Sequence, residues 1–527
     1  MIKSKIENGY NAQKLLFDGV KKISGAVKMT LGPNGKNVIL EQGEFPIVTN
    51  DGYTIAKNIN LENKFENMGA KLILQASEKT NDDAGDGTTT SCVLAEALIS
   101  EGLKSTTLGV NAIEVSNGMK KACNFVCQRL DKMARKISDR HDIKKIATIS
   151  CQNEEIGELI TSAFDSVGKN GVIMIEDGNG ISTTLEIVNG LKFDKGFVSS
   201  YFSTNTEKQI CEMDNVSILV CDYKIENINQ IIGILETSIQ NNLKLAIIAP
   251  DFNEEVIATL VMNKLRGSIN IVAIKTPPFS DNNKDILEDL CLNVGANLIS
   301  KEKNLNLENI TLSDLGKCKK LTVTASTSTI IEGCGDNNLI NQRITQIEEL
   351  KKKATSDFDK KLYTERIAKL KNSVAIIKVG GLTDVENTEK KLRIEDALSA
   401  TRSAIAEGVV IGGGCALIKC KKYVQNEINN LNNNEKIGAK IVLSALEYPL
   451  RQIARNGNLD DGVILEKIES NNSETFGFNA LTNTFGDLEE FGIIDPKKVT
   501  RCALQNAVSV ASTLLTSTCA IINEMEK

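Results

Sequence analysis

The sequence predicts a multidomain α+β and α/β protein with mainly helical ends around an α/β centre. At 527 residues the chain exceeds what one ordinary hydrophobic core supports, which indicates roughly two to four domains. Buried β-runs such as "NVSILVCDYKI" and "LKLAIIAPD" are each followed by helical periodicity, so residues 189–335 have the rhythm of an α/β domain. Both ends, about 1–132 and 407–527, are typical of helices joined by glycine-rich turns.

The remaining elements can be taken in chain order. "ARKISDRHDIKKIATIS" predicts a helix leading into a turn, "NGVIMIED" a short strand, and "SINIVAIKTPPF" a strand ended by its prolines. Two charged segments between 340 and 372 then carry apolar residues at helical spacing: Ile344, Ile347 and Leu350 on the first, and Ile367, Leu370 and Leu362 on the second. This predicts two long helices packed antiparallel, with Ser356 as a cap between them.

Composition excludes several functional classes. The chain is 41% apolar and 25% charged with a net charge of −6, which is ordinary for a globular protein and provides no basic surface for nucleic acid or acidic membranes. No apolar run reaches the length of a membrane span. Because "MIKSKIENGYNAQKLLFDGV" lacks the apolar region of a signal peptide, we expect the protein to stay where it is made.

Cysteine and histidine usage argues against metal and triad chemistry. The thirteen cysteines include no Cys-x-x-Cys pair, and the closest two, Cys123 and Cys127, are one helical turn apart. The single histidine, His141, lies in the polar run "SDRHD" and is expected at the surface. We therefore predict reduced, mostly buried thiols, no zinc site, and no Ser-His or Cys-His catalysis.

The stretch "NDDAGDGTTTS", residues 81–91, carries the strongest local chemistry. A helix beginning near Thr88 would present unpaired N–H groups and a positive dipole end to phosphate oxygens. Gly85 and Gly87 would let the backbone approach an anion closely. Asp86 would repel a bare phosphate but suits a divalent cation held between carboxylate and phosphate. The pattern favours a Mg–nucleotide site over an elaborate helix cap.

Other loops share this chemistry. "TLGPNGKN" is a glycine-proline loop after a helix, Asp51 and Gly52 form a turn before another helix, and residues 412–414 are three glycines where a strand or loop gives way to a helix. Glu395 and Asp396 are predicted at the beginning of a helix. Neither a Walker lysine motif nor G-x-G-x-x-G is present, so each loop alone is weak evidence.

The sequences of these loops and their order along the chain resemble those of one protein family over essentially the whole chain. "TLGPNGKNVIL", "DGYTIAK", "KFENMGAKL", "NDDAGDGTTTS", "GLKFDKGFVSSYF", "KVGGLTDVE", "RIEDALSATRSAIAEGVVIGGGCAL" and "GIIDPKKVTRCALQNAVSVA" together resemble a group I chaperonin of the GroEL class. The resemblance implies a mainly helical equatorial domain (1–132 and 407–527), a small α/β intermediate hinge domain (133–188 and 375–406), and an α/β apical domain inserted in the middle (189–374). It also implies a homo-oligomeric ring of seven subunits, with two rings stacked.

The resemblance implies an ATPase with Mg²⁺ as its ion and K⁺ as a further candidate. Asp86 matches the metal ligand, while Asp51 and Asp396 match the carboxylates that organise the attacking water. Asp396 is expected to arrive only when the intermediate domain closes. The residues that match ATP contacts are Thr30, Leu31, Gly32, Pro33, Gly87, Thr88, Thr89, Thr90, Ile149, Ser150, Gly413, Asn479, Ala480 and Asp495.

A second predicted site is apolar. From periodicity alone, the stripes of "NINQIIGILETSI" and "DFNEEVIATLVMNKL" read as core, with Asp251 and Glu254 forming a capping box. The resemblance instead implies a surface that captures non-native polypeptides and then a GroES-type co-chaperonin. The matching residues are Phe197, Ser199, Tyr201, Phe202, Ile232, Leu235, Ile257, Val261 and Met262.

Three departures from the family pattern leave an alternative open. Asn34 and Asn50 stand where the family commonly has a cation near the triphosphate, and Ala325 stands where it often has a lysine that pairs with the acid at Asp82. The alternative is a chaperonin-like polypeptide-binding protein with weak or lost ATPase activity. Nucleic acid and membranes are not expected as partners, and the expected compartment is a bacterial cytoplasm or, alternatively, an organelle stroma or matrix.

Overall fold

The structure is a computed structural model. It describes residues 2–525 except 42–45, 108, 138, 152, 169–170, 179, 194, 206–208, 277–282, 304, 354–355, 357–358, 361–362, 364–365, 368–369 and 371–372. The chain divides into two units, each with its own hydrophobic core. Unit 1 comprises Met1–Asp165, Ile175–Thr184 and Lys378–Lys527, and unit 2 comprises Ser166–Met174 and Leu185–Ile377.

Helices make up most of the regular structure whose bounds lie within the described residues. In chain order they are α1 (Gly9–Val27), α2 (Gly52–Asn58), α3 (Lys64–Ala84), α4 (Thr88–Thr107), α5 (Ala112–Met133), α6 (Arg140–Cys151), α7 (Glu154–Val167), α8 (Ile232–Gln240), α9 (Glu254–Leu265), α10 (Asn283–Val294), α11 (Asn337–Lys353), α12 (Asp384–Glu407), α13 (Cys415–Glu427), α14 (Asn433–Ala445), α15 (Tyr448–Asn456), α16 (Asp461–Ser470) and α17 (Lys497–Thr516).

The strands are shorter and more dispersed. They are β1 (Ile2–Asn8), β2 (Val38–Leu40), β3 (Ile47–Thr49), β4 (Val172–Asp177), β5 (Thr184–Phe193), β6 (Cys211–Val220), β7 (Lys244–Ala249), β8 (Asn270–Lys275), β9 (Gly316–Val323), β10 (Ser328–Gly333), β11 (Ser373–Val379), β12 (Val409–Ile411), β13 (Phe476–Asn479), β14 (Thr484–Asp487), β15 (Ile494–Pro496) and β16 (Cys519–Met525).

Unit 1 is mainly helical. The apolar faces of α1, α3, α4, α5, α13, α14 and α17 enclose one large core, and α17 packs against α3, α4 and α5. The first and last strands, β1 and β16, pair antiparallel from Ile2 opposite Met525 to Asn8 opposite Cys519. Short antiparallel pairs join β2 to β3, β12 to β15 and β13 to β14. The loops between these elements carry the predicted nucleotide residues.

Unit 2 is an α/β structure, as predicted. Among the described strands its sheet has the order β4-β11-β5-β10-β9-β6-β7-β8. Strands β6, β7 and β8 run parallel, with α8 and α9 as the two connections between them. Residues Leu245–Ala249 of β7 are buried continuously, which is typical of a parallel strand covered on both faces.

The predicted strands at "NGVIMIED", "NVSILVCDYKI", "LKLAIIAPD" and "SINIVAIK" are confirmed as β4, β6, β7 and β8. The prolines predicted to end β8 lie outside the described residues. The helix predicted over 134–150 begins later, at Arg140. Arg135 instead forms an antiparallel bridge with Val409 and an ion pair with Asp142, so the backbone there is extended.

The charged segment after Asn337 is helical, as predicted, through Lys353. Ile344 and Ile347 are buried together with Leu370, which confirms that the first segment packs against the second. Leu350 is exposed and does not share that buried face. Leu362 lies outside the described residues, while the carbonyl of Ser356 accepts a hydrogen bond from the Lys360 N–H at 3.1 Å.

The predictions of free, mostly buried thiols and of a surface histidine are confirmed. All thirteen cysteines are free, and all but Cys334 and Cys519 are buried. His141 is exposed. Among the described residues, no helix combines the length and apolarity that a membrane crossing needs.

Candidate functional site

A cavity of about 690 Å³ in unit 1 brings together loops that are far apart in sequence. Every residue predicted to contact ATP, hold the metal or organise the attacking water lines this cavity. These residues are Thr30, Leu31, Gly32, Pro33, Asp51, Asp86, Gly87, Thr88, Thr89, Thr90, Ile149, Ser150, Asp396, Gly413, Asn479, Ala480 and Asp495. Asn50 lines it as well.

The junction between α3 and α4 forms the polar floor of the cavity. Helix α3 ends in the left-handed Gly85 (φ +69°), and α4 begins at Thr88, as predicted. Between them, one carboxylate oxygen of Asp86 accepts a hydrogen bond from the Gly87 N–H at 2.5 Å. The first N–H groups of a helix have no partner within it, so the first turn of α4 supplies donors for an anion.

Asp51 is held rigidly beside this junction. As the N-cap of α2, it accepts hydrogen bonds from the Tyr53 N–H at 3.2 Å and the Thr54 N–H at 2.8 Å. The Thr54 hydroxyl donates to the second carboxylate oxygen at 2.6 Å, and the Thr88 hydroxyl reaches the first at 3.4 Å. These bonds fix the orientation of the carboxylate and connect it to the first turn of α4.

Asp396 reaches the cavity from α12. The prediction that Glu395 and Asp396 begin a helix is wrong, because α12 begins at Asp384 and Thr383 caps it by accepting from the Glu386 N–H at 3.2 Å. On the face of α12 near Asp396, the Ser403 hydroxyl donates to the Ala84 carbonyl at 2.8 Å. Helix α12 therefore docks on the α3–α4 junction, with Asp396 on the cavity wall; the movement predicted to bring it there stays a prediction.

The cavity concentrates negative charge. Burial and the neighbouring Asp51 carboxylate raise the pKa of Asp86 to about 6. Burial and the charge of Asp86 raise the pKa of Asp495 to about 7. Burial, reinforced by Asp86 and Asp51, also raises the pKa of Asp396 well above its ordinary value. A cation in this cavity would relieve both the burial cost and the mutual repulsion of these acids.

The donor set fits Mg²⁺ held jointly with phosphate oxygens. In the part of the chain that the structure describes, no group of three or more His, Cys, Asp or Glu side chains forms a complete metal site. Mg²⁺ is commonly bound through one or two carboxylates plus substrate phosphates and water rather than in a protein cage. Asp86 beside the α4 N-terminus offers one carboxylate and an anion site together.

The far side of the cavity is formed by short strands. Asp495 lies on β15 opposite Val410 of β12, and the Gly413 N–H donates a hydrogen bond to its carboxylate. In the turn after β13, the Asn479 side-chain oxygen accepts from the N–H groups of Leu481 at 3.0 Å and Thr482 at 3.3 Å. This bonding orders the turn that carries Ala480.

Several cavity residues were not predicted. Asn153 and Glu154 at the start of α7, and Leu481 and Phe491 around the β13–β14 hairpin, also line the cavity. Phe491 and Leu481 are large apolar side chains that remain exposed. Only their place in the sequence could have pointed to them. Asn153 and Glu154 closely follow the predicted Ser150, Leu481 follows Ala480, and Phe491 directly precedes the motif that begins at Gly492.

The residues predicted to bind polypeptides lie in unit 2 and divide by burial. Tyr201, Ile232 and Met262 are exposed, and Ser199, Leu235 and Ile257 are half-buried. Phe197, Val261 and Phe202 are buried in the core. The prediction that Phe197, Val261 and Phe202 are surface contacts is therefore corrected, because their side chains belong to the core of unit 2. The short 3₁₀ turn Ser200–Phe202 directs Tyr201 outward and Phe202 inward.

The predicted capping box is also corrected. Helix α9 begins at Glu254 after Asn253, whose side chain makes no capping bond, and Asp251 lies outside the helix. Asp251 instead pairs with Lys275 at 2.8 Å and Lys224 at 3.2 Å. Hydrogen bonding to Lys275 is the main reason that the pKa of Asp251 is lowered to about 2.

Comparison with known proteins agrees with this architecture. The sequence profile of the TCP-1/cpn60 chaperonin family matches residues 23–524. Among solved structures, the chain is similar to the chaperonin gp146 from the bacteriophage EL 2 (Pseudomonas aeruginosa), which was crystallised in the presence of ATP-BeFx. That match has a TM-score of 0.69 and 21% identity and covers 99% of each chain, so it supports the fold. The chain therefore belongs to the TCP-1/cpn60 chaperonin family and has the chaperonin fold.

Proposed function

We propose that this chain is a group I chaperonin that binds and hydrolyses Mg–ATP in the unit 1 cavity and uses that cycle to capture and release non-native polypeptides. One observation carries the proposal. Asp51, Asp86 and Asp396, which come from three distant segments, line a single cavity with the first turn of α4. A helix cap needs one such acid, whereas phosphoryl transfer to water needs a metal ligand and groups that orient the water.

The residues divide the work as follows. The α4 N–H groups and the hydroxyls of Thr88, Thr89 and Thr90 hold phosphate oxygens, and the Asp86 carboxylate holds the cation. When bound, Mg²⁺ neutralises charge on the phosphates and on the leaving group. Asp396 orients and accepts a proton from the attacking water, while Asp51, fixed by Thr54, orients the same water from the α2 side.

The strands hold the rest of the nucleotide. Asp495 accepts hydrogen bonds from the ribose hydroxyls, and the turn at Asn479 and Ala480 contacts the base. Gly413 has φ +63° and has no side chain, so the sugar can lie close to the backbone there. K⁺ is a further candidate ion beside the triphosphate.

The polypeptide-binding surface is formed by α8, α9 and the 200–202 turn. Tyr201, Ile232 and Met262 present apolar or aromatic side chains to solvent. Such a surface suits partners that share exposed apolar groups rather than a sequence, and methionine adapts to different shapes. The same surface would bind the apolar segment of a GroES-type co-chaperonin. The protein itself would assemble as a homo-oligomeric ring of seven subunits, with two rings stacked.

A second candidate is a polypeptide-binding chaperonin with weak or lost ATPase activity. It is favoured by Asn50, which lines the cavity without a cationic group, and by Asn34, whose side chain is hydrogen-bonded to protein rather than charged. Steady-state ATP turnover, measured with and without a GroES-type co-chaperonin, separates the two candidates. Turnover no faster than that of the Asp396→Ala variant, with Mg–ATP binding intact, would establish the second candidate and exclude the first.

A further inference from the structure

The loop after α1 is closed on itself before it meets the nucleotide cavity. The Gly35 N–H donates to the Gly32 carbonyl at 3.0 Å, and the Lys36 N–H donates to the Met29 carbonyl at 2.9 Å. A Cβ added at Gly35 would lie 2.1 Å from the Thr30 carbonyl oxygen, which shows how tightly the loop folds. The loop is therefore compact, and the bonds that join it to neighbouring elements set where Leu31, Gly32 and Pro33 lie.

Helix α15 holds the base of this loop. The Asn456 side-chain amide donates to the carbonyls of Lys28 at 2.9 Å and Leu31 at 2.8 Å. These two bonds secure the start of the loop against α15 but do not reach Pro33 or the turn after β13.

Asn34 connects the tip of the loop to the turn after β13. Its side-chain amide donates to the Ala480 carbonyl at 3.0 Å, across 446 positions of sequence. A Cβ added at Gly457 would lie 3.0 Å from the same Asn34 nitrogen, so the amide occupies a narrow slot between the hairpin turn and the end of α15.

We propose that Asn34 is a positioning residue for the nucleotide, acting by holding the 31–33 loop at a set distance from the turn at Asn479 and Ala480. The inference rests on the proposed function, because Pro33 and Ala480 both line the cavity that we assign to ATP. A ligand that contacts both walls binds more tightly when their separation is set beforehand. Asn34 is not among the residues that line the cavity, so its contribution through the 31–33 loop is to affinity rather than to chemistry.

The first test removes the bond in two ways. Asn34→Leu keeps the branched shape of the side chain without a donor, and Asn34→Ala removes both the shape and the donor. A net hydrogen bond of ordinary strength corresponds to a change of about 3- to 10-fold in the dissociation constant. We expect each variant to raise the Kd of a fluorescent ATP analogue with Mg²⁺ by that factor, mainly through faster dissociation. Turnover at saturating ATP should stay within about twofold of the parent, so that KM changes and kcat does not.

The second test disturbs the bond between Asn34 and the Ala480 carbonyl by changing Gly457, which lies beside the Asn34 amide. Gly457 has φ −83°, so Gly457→Ala adds no backbone strain but crowds the Asn34 amide. We expect Gly457→Ala to weaken binding alone and to add little in the Asn34→Ala background, because both changes break one interaction. Asn241→Ala is the matched control, since it removes a similar bond, from the Asn241 amide to the Thr237 carbonyl, in unit 2.

The outcomes are distinct. Unchanged affinity in both Asn34 variants, or full additivity with Gly457→Ala, would overturn the assignment of Asn34. Unchanged Mg–ATP affinity in Asp86→Ala would instead overturn the proposed nucleotide site itself. Native mass spectrometry and thermal unfolding of every variant establish that a loss of affinity is measured on folded, assembled protein.

Discussion

Ser399 of α12 lies directly against Gly85: a Cβ added to Gly85 would come within 2.3 Å of the Ser399 Cβ. Gly85 also has φ +69°, a conformation that favours glycine. The contact seats α12 on the turn that carries Asp86, and the hydrogen bond from Ser403 to the Ala84 carbonyl fixes it there. The position of Asp396 in the cavity therefore depends on residue 85 being glycine, because a side chain there would collide with Ser399.

Gly85→Ala should displace α12 and reduce ATP hydrolysis. Misplacement of a reacting group by about 1 Å can cost roughly 10²-fold in rate, so we expect a loss of about tenfold or more. Gly109→Ala is the matched control, because Gly109 has φ +87° but no atom within 4 Å of an added Cβ. Single-turnover hydrolysis and thermal unfolding are measured on both variants. Equal losses in turnover would show that backbone strain, not the contact with Ser399, is responsible.

Asp396→Asn should lower hydrolysis without lowering affinity. A group that orients or deprotonates the attacking water typically contributes about 10²–10⁴-fold, and we expect a loss in that range. Mg–ATP binding should remain near the parent value, whereas Asp86→Asn should weaken binding itself. Glu395→Gln, the neighbouring acid on α12, removes a carboxylate that does not line the cavity and should leave turnover nearly unchanged. If Asp396→Asn and Asp86→Asn lose affinity equally, the division of labour between them is refuted.

The buried acids predict how stability varies with pH. Asp86 and Asp495 have folded pKa values of about 6 and about 7, against an ordinary value of 3.8. Because the folded state binds these protons more tightly, the resulting stability is fully present below about pH 4 and is lost as pH rises through 6 and 7. The melting temperature without nucleotide should therefore fall between about pH 4 and 7, and Asp495→Asn should make that fall shallower. An identical pH dependence in the variant would contradict this account.

Tyr201 and Phe202 are adjacent aromatic residues with opposite expected phenotypes. Tyr201 is 64% exposed and Phe202 is fully buried. Tyr201→Glu should abolish capture of an unfolded protein with little effect on unfolding temperature, because it places a charge on an apolar contact surface. Phe202→Ala should destabilise unit 2 by about 3–5 kcal/mol. Tyr10→Glu, at an exposed tyrosine of unit 1, is the control. Retained capture in Tyr201→Glu would remove this turn from the proposed surface.

The protein should be a large oligomer rather than a 57.3 kDa monomer. Ile39 on the β2–β3 hairpin is 70% exposed, and Ile6 and Ile521 on the β1–β16 pair are also exposed in the single chain. Apolar side chains displayed on strands are typical of surfaces that a partner covers. Native mass spectrometry with Mg–ATP measures the assembly directly, and a spectrum containing only monomer would exclude the ring.

The parts of the site that were predictable from sequence are those with local signals. Asp51 caps α2 and α4 begins at Thr88 because an acid or a glycine turn specifies a helix start within a few residues. The acids at Glu395 and Asp396 wrongly indicated the start of a helix. Acids are favoured in a first turn, yet Thr383 caps α12 well upstream, so the helix continues past Asp396.

Long-range competition explains the other differences. Asp251 has the spacing of a capping residue, but Lys224 and Lys275, which are brought close only by the fold, capture its carboxylate. Phe202 and Tyr201 have nearly the same apolar character, and only the tertiary position of their turn decides which one is buried. The bond between Asn34 and Ala480 likewise joins two loops whose proximity no local pattern encodes.

The residues that line the nucleotide cavity are spread along the sequence from Thr30 to Thr500. During translation, the parts of the cavity are therefore synthesised at different times. At about 5–20 residues per second, roughly 20–90 s separate the synthesis of the first wall from that of the last. Unit 2 ends at Ile377, so the proposed polypeptide-binding surface is complete before Asp396 and Asp495 have been made. A nascent or truncated chain that ends soon after Ile377 would thus carry the proposed polypeptide-binding surface without a complete ATP site. Such a chain would bind unfolded protein but could not use ATP hydrolysis to release it.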